Sequence, residues 1–338
     1  MGIKNKFLAS GIGSLPFTDA KRAVSFVLEE FKDNIVFLPQ LPKRSFLESM
    51  HIQFSEGFPG VKIIPNRKSM IIDSLDVNFV SNFEKSFNAI NSGDIEYFAI
   101  GVEYAEGYHE FFRIASSRRL PYVKSQIIGP ISFGLTILDE KGKPILLNPE
   151  LREIIPKFLG FKSIWQILQL KNLKCAEEII IFIDEPYLVA IGSNQFGSFK
   201  RDGIISMINV VVKMIHQEGA IAGIHCCGNT DWSICFDTDV DIISFDAFDF
   251  LDSLFIYKEG LVEFIERGGI IAWGIVPNKD NFDFNNFLSR AVKIISSKSA
   301  FLKNGAIITP SCGCGTLSEA QAKKIHSLSV QIAKSLAF

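Results

Sequence analysis

The chain of 338 residues carries 35 basic and 37 acidic side chains, a formal net charge of -2. That balance leaves no cationic excess for a phosphate-rich partner, so nucleic acid is not expected as a ligand. Apolar residues make up 47% of the chain and charged residues 21%, enough for a large buried core and unlike a disordered protein.

Near the amino terminus, the basic "KNK" precedes "FLASGIG", an apolar stretch broken by glycines and stopped by Pro16. It is too short for a signal-peptide core or a membrane span, and the expectation is a cytoplasmic protein with no membrane partner. "FLASGIGS" is also the first of eight short apolar segments that run into Gly, Pro or polar residues. The helical pattern "DAKRAVSFVLEEF" follows it. After the second segment, "IVFLPQ", the connection from Lys43 to Leu120 is longer than a barrel needs and reads as an insertion. Its "IEYFAIGVEYAEGYHEFF" is expected to hold extra helix and some strand. The third segment, "YVKSQIIGP", is followed by a second insertion from Ser132 to Glu178, in which "LDEKGKPILLNPEL" has the Gly/Pro pattern of a hairpin turn.

The remaining segments are "IIIFIDEP", "IAGIHCCG", "IISFDA", "IIAWGIVP" and "AIITPSCG". Helical spacing recurs in "DGIISMINVVVKMIHQ", "EGLVEFIERG", "NNFLSRAVKIISSK" and "LSEAQAKKIHSLSVQIAKSLA". Most of the apolar runs are continuous, as parallel strands buried on both faces should be. Strand-helix alternation then predicts an α/β fold, a single (β/α)8 TIM barrel over residues 1–338 with insertions at about 43–120 and 132–178. An open doubly wound sheet is the alternative, although "GIGSLP" lacks the glycine spacing of a dinucleotide fingerprint.

In a barrel the carboxyl ends of all strands converge on one face, where distant residues share a site. Those ends supply Ser14, Gln40, Gln126, Asp184 with Glu185, His225 with Cys227, Asp246, Trp273 and Cys312. Six cysteines are too few to staple a chain this long, and their grouping at 226/227 and 312/314 suits metal or thiol chemistry better. His225 and Cys227, two apart on a strand, face the same side, while Cys226 faces the other. Zinc takes imidazole and thiolate in a tetrahedron, and Cys312 offers a third ligand. The plainer alternative is a packed thiol beside a hydrogen-bonded histidine. Cys226, Cys235 and Cys175 read as packing residues, Cys175 on a helix ahead of the fourth strand. Cys314 competes with Cys312 for the metal, with Cys312 favoured.

Alternation sends Asp184 and Glu185 to opposite sides, so they are not a paired acid and base. One of them faces the mouth, either capping a turn or holding a substrate ammonium. Asp246 follows the sixth strand directly, as a ligand, as the acceptor that orients His225, or as a helix cap.

Taken together, "GIGSLP", "QIIGP", "IDEP", "HCCGN", "SFDA" and "TPSCG" resemble the cobalamin-independent methionine synthases and their short relatives. The resemblance implies a zinc ion held by His225, Cys227 and Cys312, with Asp246 where the family has a glutamate. It implies that Ile12, Gly13 and Ser14 hold an amino-acid carboxylate and Asp184 the amino group, with Glu48 a candidate second acid. The chain has one barrel where the long enzymes have two, and "AWGIVPNKD" lacks the family's proton-relaying histidine. A related branch, the corrinoid:thiol methyltransferases of the uroporphyrinogen decarboxylase superfamily, shares a similar His-x-Cys-Gly.

The function implied is zinc-dependent methyl transfer to a small-molecule thiol, homocysteine favoured, giving methionine. The expected donor is a methylcorrinoid, carried by a corrinoid protein as partner, with methyltetrahydrofolate the other possibility. Asp184 and Asp246 are the expected catalytic residues. Coenzyme M or another thiol as acceptor, a metal-free decarboxylase-like enzyme, and a non-catalytic thiol- or corrinoid-binding module are the alternatives.

Overall fold

The computed structural model describes residues 2–191, 199–279 and 282–337. Its central element is a ring of parallel strands: β1 (Lys6–Ala9), β2 (Ile35–Phe37), β3 (Leu120–Ile128), β4 (Ala176–Asp184), β5 (Ile221–Cys226), β6 (Ile242–Phe245), β7 (Ile270–Val276) and β8 (Gly305–Pro310). Each strand from β2 onward pairs with its successor, and β8 pairs with β1. The ring closes beyond the ends of β1 and β2, through a parallel bridge between Ser14 and Gln40. There the Leu15 N–H donates to the Gln40 carbonyl at 2.8 Å and the Gln40 N–H to the Gly13 carbonyl at 3.0 Å. This is the (β/α)8 barrel expected from the sequence.

Strand alternation divides the apolar residues between two cores. Ile180, Phe182, Ile221, Ile242, Ile270 and Ile307 fill the barrel interior. Their neighbours Ile181, Ile183, Ile224, Ile243, Ile271 and Ile308 face outward into the larger core beneath the helices.

The outer ring consists of α1 (Ala20–Glu30), α2 (Glu106–Ala115), α3 (Pro149–Leu173), α4 (Arg201–Gln217), α5 (Trp232–Phe236), α6 (Lys258–Glu266), α7 (Phe287–Ser296) and α8 (Glu319–Leu336). In α1 the buried Ala20, Ala23, Val24, Val27 and Leu28 repeat at helical spacing, and the Asp19 side chain caps the helix by accepting from the Arg22 N–H. Among the described residues no helix is long and apolar enough to cross a membrane.

The two insertions are smaller than expected, because each contains one helix of the barrel itself. α2 packs between α1 and α3, and α3 packs on α4. What is added after β2 is a short helix (Met50–Gln53), a hairpin (Val61–Ile64 with Ser69–Ile72) and a helix (Phe79–Ser92). After β3 a short strand (Leu138–Asp139) joins that hairpin in parallel, and the Asp139 N–H donates to the Lys143 carbonyl across the expected turn. The strand expected within "IEYFAIGVEYAEGYHEFF" is absent; Ile95–Phe98 forms a single 3-10 turn and α2 follows. Cys175 stands directly before β4, after the end of α3 rather than on it.

Candidate active site

A cavity of about 160 Å³ opens at the carboxyl end of the barrel, lined by Ile12, Gly13, Ser14, Gln40, Met50, Gln126, Asp184, Pro186, His225, Cys227, Cys312 and Gly313. Every strand-end residue predicted from the sequence lines it except Glu185, Asp246 and Trp273. Larger surface grooves exist, among them one of about 530 Å³ between α3 and α4, but that groove carries no histidine or cysteine.

On one side of the cavity stand the histidine and the thiols. His225 lies on β5 in register with Ser244 on β6, and its Nδ1 is 2.9 Å from the Ser244 hydroxyl. Its Nε2 is buried and has no hydrogen-bond partner. A ring nitrogen so placed loses water without regaining a hydrogen bond, an unfavourable state unless a further group completes it. The neighbouring Cys227 thiol and His225 ring hold the Cys312 thiol well below the ordinary range. Cys227 is pushed well above it by the same Cys312 contact and by burial. Among the described residues no three His, Cys, Asp or Glu side chains stand in a ready-made metal-ligating group.

On the other side, the Ile12–Gly13–Ser14 turn crosses the mouth. Gly13 has φ +151°, and a Cβ there would lie 2.6 Å from the Gln126 side chain, so only glycine fits without displacement. The Ser14 carbonyl accepts from the Cys314 N–H at 2.9 Å, which ties this turn to the loop carrying Cys312. After β7, the Asn278 side chain donates to the Gly313 carbonyl and steadies that loop from the opposite flank. Asp280, the last residue of "AWGIVPNKD", lies outside the described residues.

The two acids of "IDEP" diverge as alternation requires. Asp184 faces the cavity, its Oδ1 has no partner, and burial raises its carboxyl to about 6. Glu185 faces the helices, where it accepts from the Ile131 N–H at 2.9 Å, the Ser132 N–H at 2.8 Å and the Ser132 hydroxyl at 2.6 Å.

Asp246 takes the capping role among its three alternatives, and Glu48 and Trp273 stand away from the cavity. Asp246 does not orient His225, because strand register gives that place to Ser244; its Oδ1 instead accepts from the N–H groups of Phe248 and Asp249, both at 2.9 Å. Glu48 is fully buried away from the cavity, accepting from the Leu41 N–H at 3.1 Å and from the Arg44 guanidinium. Trp273 faces the outer core. Cys226 and Cys314 also lie in that core, and burial raises both thiols, Cys226 to about 12. Cys235 and Cys175 are buried there too.

Sequence reasoning overlooked Ser244, Asn278 and Lys124. Strand alternation could have found two of them, since Ser244 shares the inward set of β6 with Ile242, and Lys124 that of β3 with Gln126.

No protein-family model and no curated protein matches the chain. Solved structures resemble it over nearly its whole length, among them the following two. One is a B12-independent methionine synthase from Shewanella sp. W3-18-1 in complex with selenomethionine, at 15% identity and a TM-score of 0.60, covering 98% of each chain. The other is a Listeria monocytogenes protein provisionally assigned as a vitamin-B12-independent methionine synthase, at 16% identity and a TM-score of 0.56, covering 94% of this chain and 86% of that one. At these identities the likeness shows a shared fold.

Proposed function

We propose that the chain is a thiol S-methyltransferase of the methionine synthase type, which uses zinc held by His225, Cys227 and Cys312 and takes homocysteine as acceptor. The observation that carries the proposal is the buried, unpartnered His225 Nε2 at a cavity that Cys227 and Cys312 also line. This donor set suits a soft divalent ion with an open position. A bound zinc ion would supply the charge that keeps a substrate thiol deprotonated near neutral pH.

The protein's own groups then decide which thiol is accepted and how it lies. The unpaired Asp184 Oδ1 receives a substrate ammonium in a charge-assisted hydrogen bond. The Gly13–Ser14 turn lies against the same cavity and meets the carboxylate. An α-amino acid gripped at both ends is left with one orientation for its side chain, toward His225 and the thiols. Fixing that orientation is how a site of this kind lowers the entropic part of the barrier. Ser244 holds the His225 ring so that Nε2 faces the cavity.

The sequence expects a methylcorrinoid donor, whereas both structural neighbours bear the name B12-independent, which weighs against it. The test therefore offers both donors. Zinc-loaded protein is given homocysteine with methylcobalamin or with methyltetrahydrofolate, and methionine is measured. Methionine from either donor, lost in Cys312→Ala, supports the reading; a protein that takes up no zinc and forms no methionine overturns it.

A further inference from the structure

The barrel holds a lysine where an apolar residue would be expected. Lys124, on the inward face of β3 two residues before the cavity-lining Gln126, is 2% exposed. Its Nζ lies 4.9 Å from the centre of the Phe182 ring and donates to the Ile12 carbonyl at 2.5 Å. Burial lowers the ammonium to about 8, and the facing Asp184 carboxylate partly offsets this, so it is charged at neutral pH. A buried cation with a single hydrogen bond is costly to the fold, and replacing such groups by apolar ones is often neutral or stabilising.

We propose that Lys124 is a positioning residue for an anionic ligand group: by fixing the Ile12 carbonyl it turns the Gly13 N–H into the cavity, and its charge favours a carboxylate there. The geometry follows from the peptide unit. The described residues contain no cis bond, so the carbonyl of Ile12 and the N–H of Gly13 point in opposite directions. With the carbonyl drawn toward Lys124 inside the barrel, the N–H is directed to the side that Gly13 lines. An ammonium on the carbonyl also polarises the peptide, which makes its N–H a stronger donor. Asp184 thus presents an acid at the cavity wall, and the Lys124 ammonium stands behind the Ile12 carbonyl next to the Gly13 turn. This pair matches a zwitterion and disfavours a ligand with only one charged end. The inference rests on the amino-acid reading of the site given above and adds the residue that selects for its carboxylate.

The test compares L-methionine with its decarboxylated amine by calorimetry on the full chain. In the unsubstituted protein methionine should bind more tightly than the amine. Lys124→Met should fold, as judged by a cooperative thermal melt, and should bind methionine about ten- to a hundredfold more weakly. It should bind the amine as well as before or slightly better, because a like charge has been removed. Lys124→Gln, which keeps a donor for the Ile12 carbonyl without the charge, should fall between. A variant that loses both ligands equally, or neither, overturns the role of Lys124 while leaving the amino-acid site intact. An unsubstituted protein that binds neither ligand overturns the amino-acid reading and this inference with it.

Discussion

The two sides of the cavity are built in different ways. The side carrying His225, Cys227 and Cys312 takes its chemistry from short motifs at the ends of β5 and β8, and Ser244 supports it from the neighbouring strand. The opposite side, with Gly13, Ser14, Gln40 and Gln126, is made by closure of the barrel itself, through the Ser14–Gln40 bridge and the Lys124 contact to Ile12. A substitution on the first side should remove a ligand and leave the barrel standing. On the second side, chemistry and fold share the same hydrogen bonds.

The largest expected effect lies on the sulfur side. Cys227→Ala and Cys312→Ala should each abolish stoichiometric zinc, measured by elemental analysis of the purified protein, whereas Cys226→Ala should retain it because its thiol sits in the outer core. Zinc loss in the Cys226 variant equal to that in the others would mean that the two faces of β5 are not chemically separate. Gly13→Ala probes the other side. It places a Cβ against Gln126 at φ +151° and should lower stability by about 3 kcal/mol in a urea titration. If zinc content persists while the fold weakens, the division between the two sides is sharpened.

The third prediction uses pH. Asp184 is raised from 3.8 to about 6 by burial. Between those values the folded protein binds more protons than the unfolded chain, so this group's contribution to stability falls as pH rises through the window and is constant above it. For metal-free protein the loss should be about 2 kcal/mol, and Asp184→Asn should remove that slope. Urea titrations between about pH 4 and about pH 7 measure it. An unchanged slope in the variant would assign the pH dependence to the other buried acids, Glu48, Glu185 and Asp246, which burial also raises.

The same division explains what could be read from the sequence. His225, Cys227 and Cys312 were legible because alternation along one strand, or a Cys-Gly turn at a strand end, places them without knowledge of the rest of the chain. The barrel was legible for the same reason, since each apolar segment announces its own strand. Lys124 was overlooked because a lysine in "YVKSQIIGP" reads as a solvated charge, although alternation with the inward Gln126 places it inside the barrel; its Ile12 contact needed the structure. Ser244 was passed over for Asp246 because an acid is the more conspicuous partner for a histidine, whereas the choice is made by register: Ser244 is the residue opposite His225, and Asp246 lies beyond the end of β6 and turns onto its own loop. The insertions were overestimated because α2 and α3 follow the added helices and hairpin in sequence, and only their packing against α1 and α4 shows that they belong to the barrel.

The smallest effect is expected at Ser244, and it bears on whether the sulfur side is as self-contained as its motifs suggest. The hydroxyl lies 2.9 Å from His225 Nδ1, and accepting the Nδ1 proton would leave Nε2 as a lone-pair donor facing the cavity. Ser244→Ala frees the ring to take the other tautomer or to rotate, so it should weaken zinc binding by about tenfold, at the lower end of what loss of such a partner costs. Competition with a chromophoric chelator reads the affinity directly. Ser244→Thr, which keeps the hydroxyl, should restore most of it if the added methyl is tolerated within the barrel. Thermal melts of the metal-free proteins should separate ring orientation from general loosening, because the alanine variant removes one buried hydrogen bond and should lose only about 1 kcal/mol. An affinity unchanged in Ser244→Ala would mean that packing on β5 alone sets the imidazole, and the sulfur side would then be independent of its neighbouring strand.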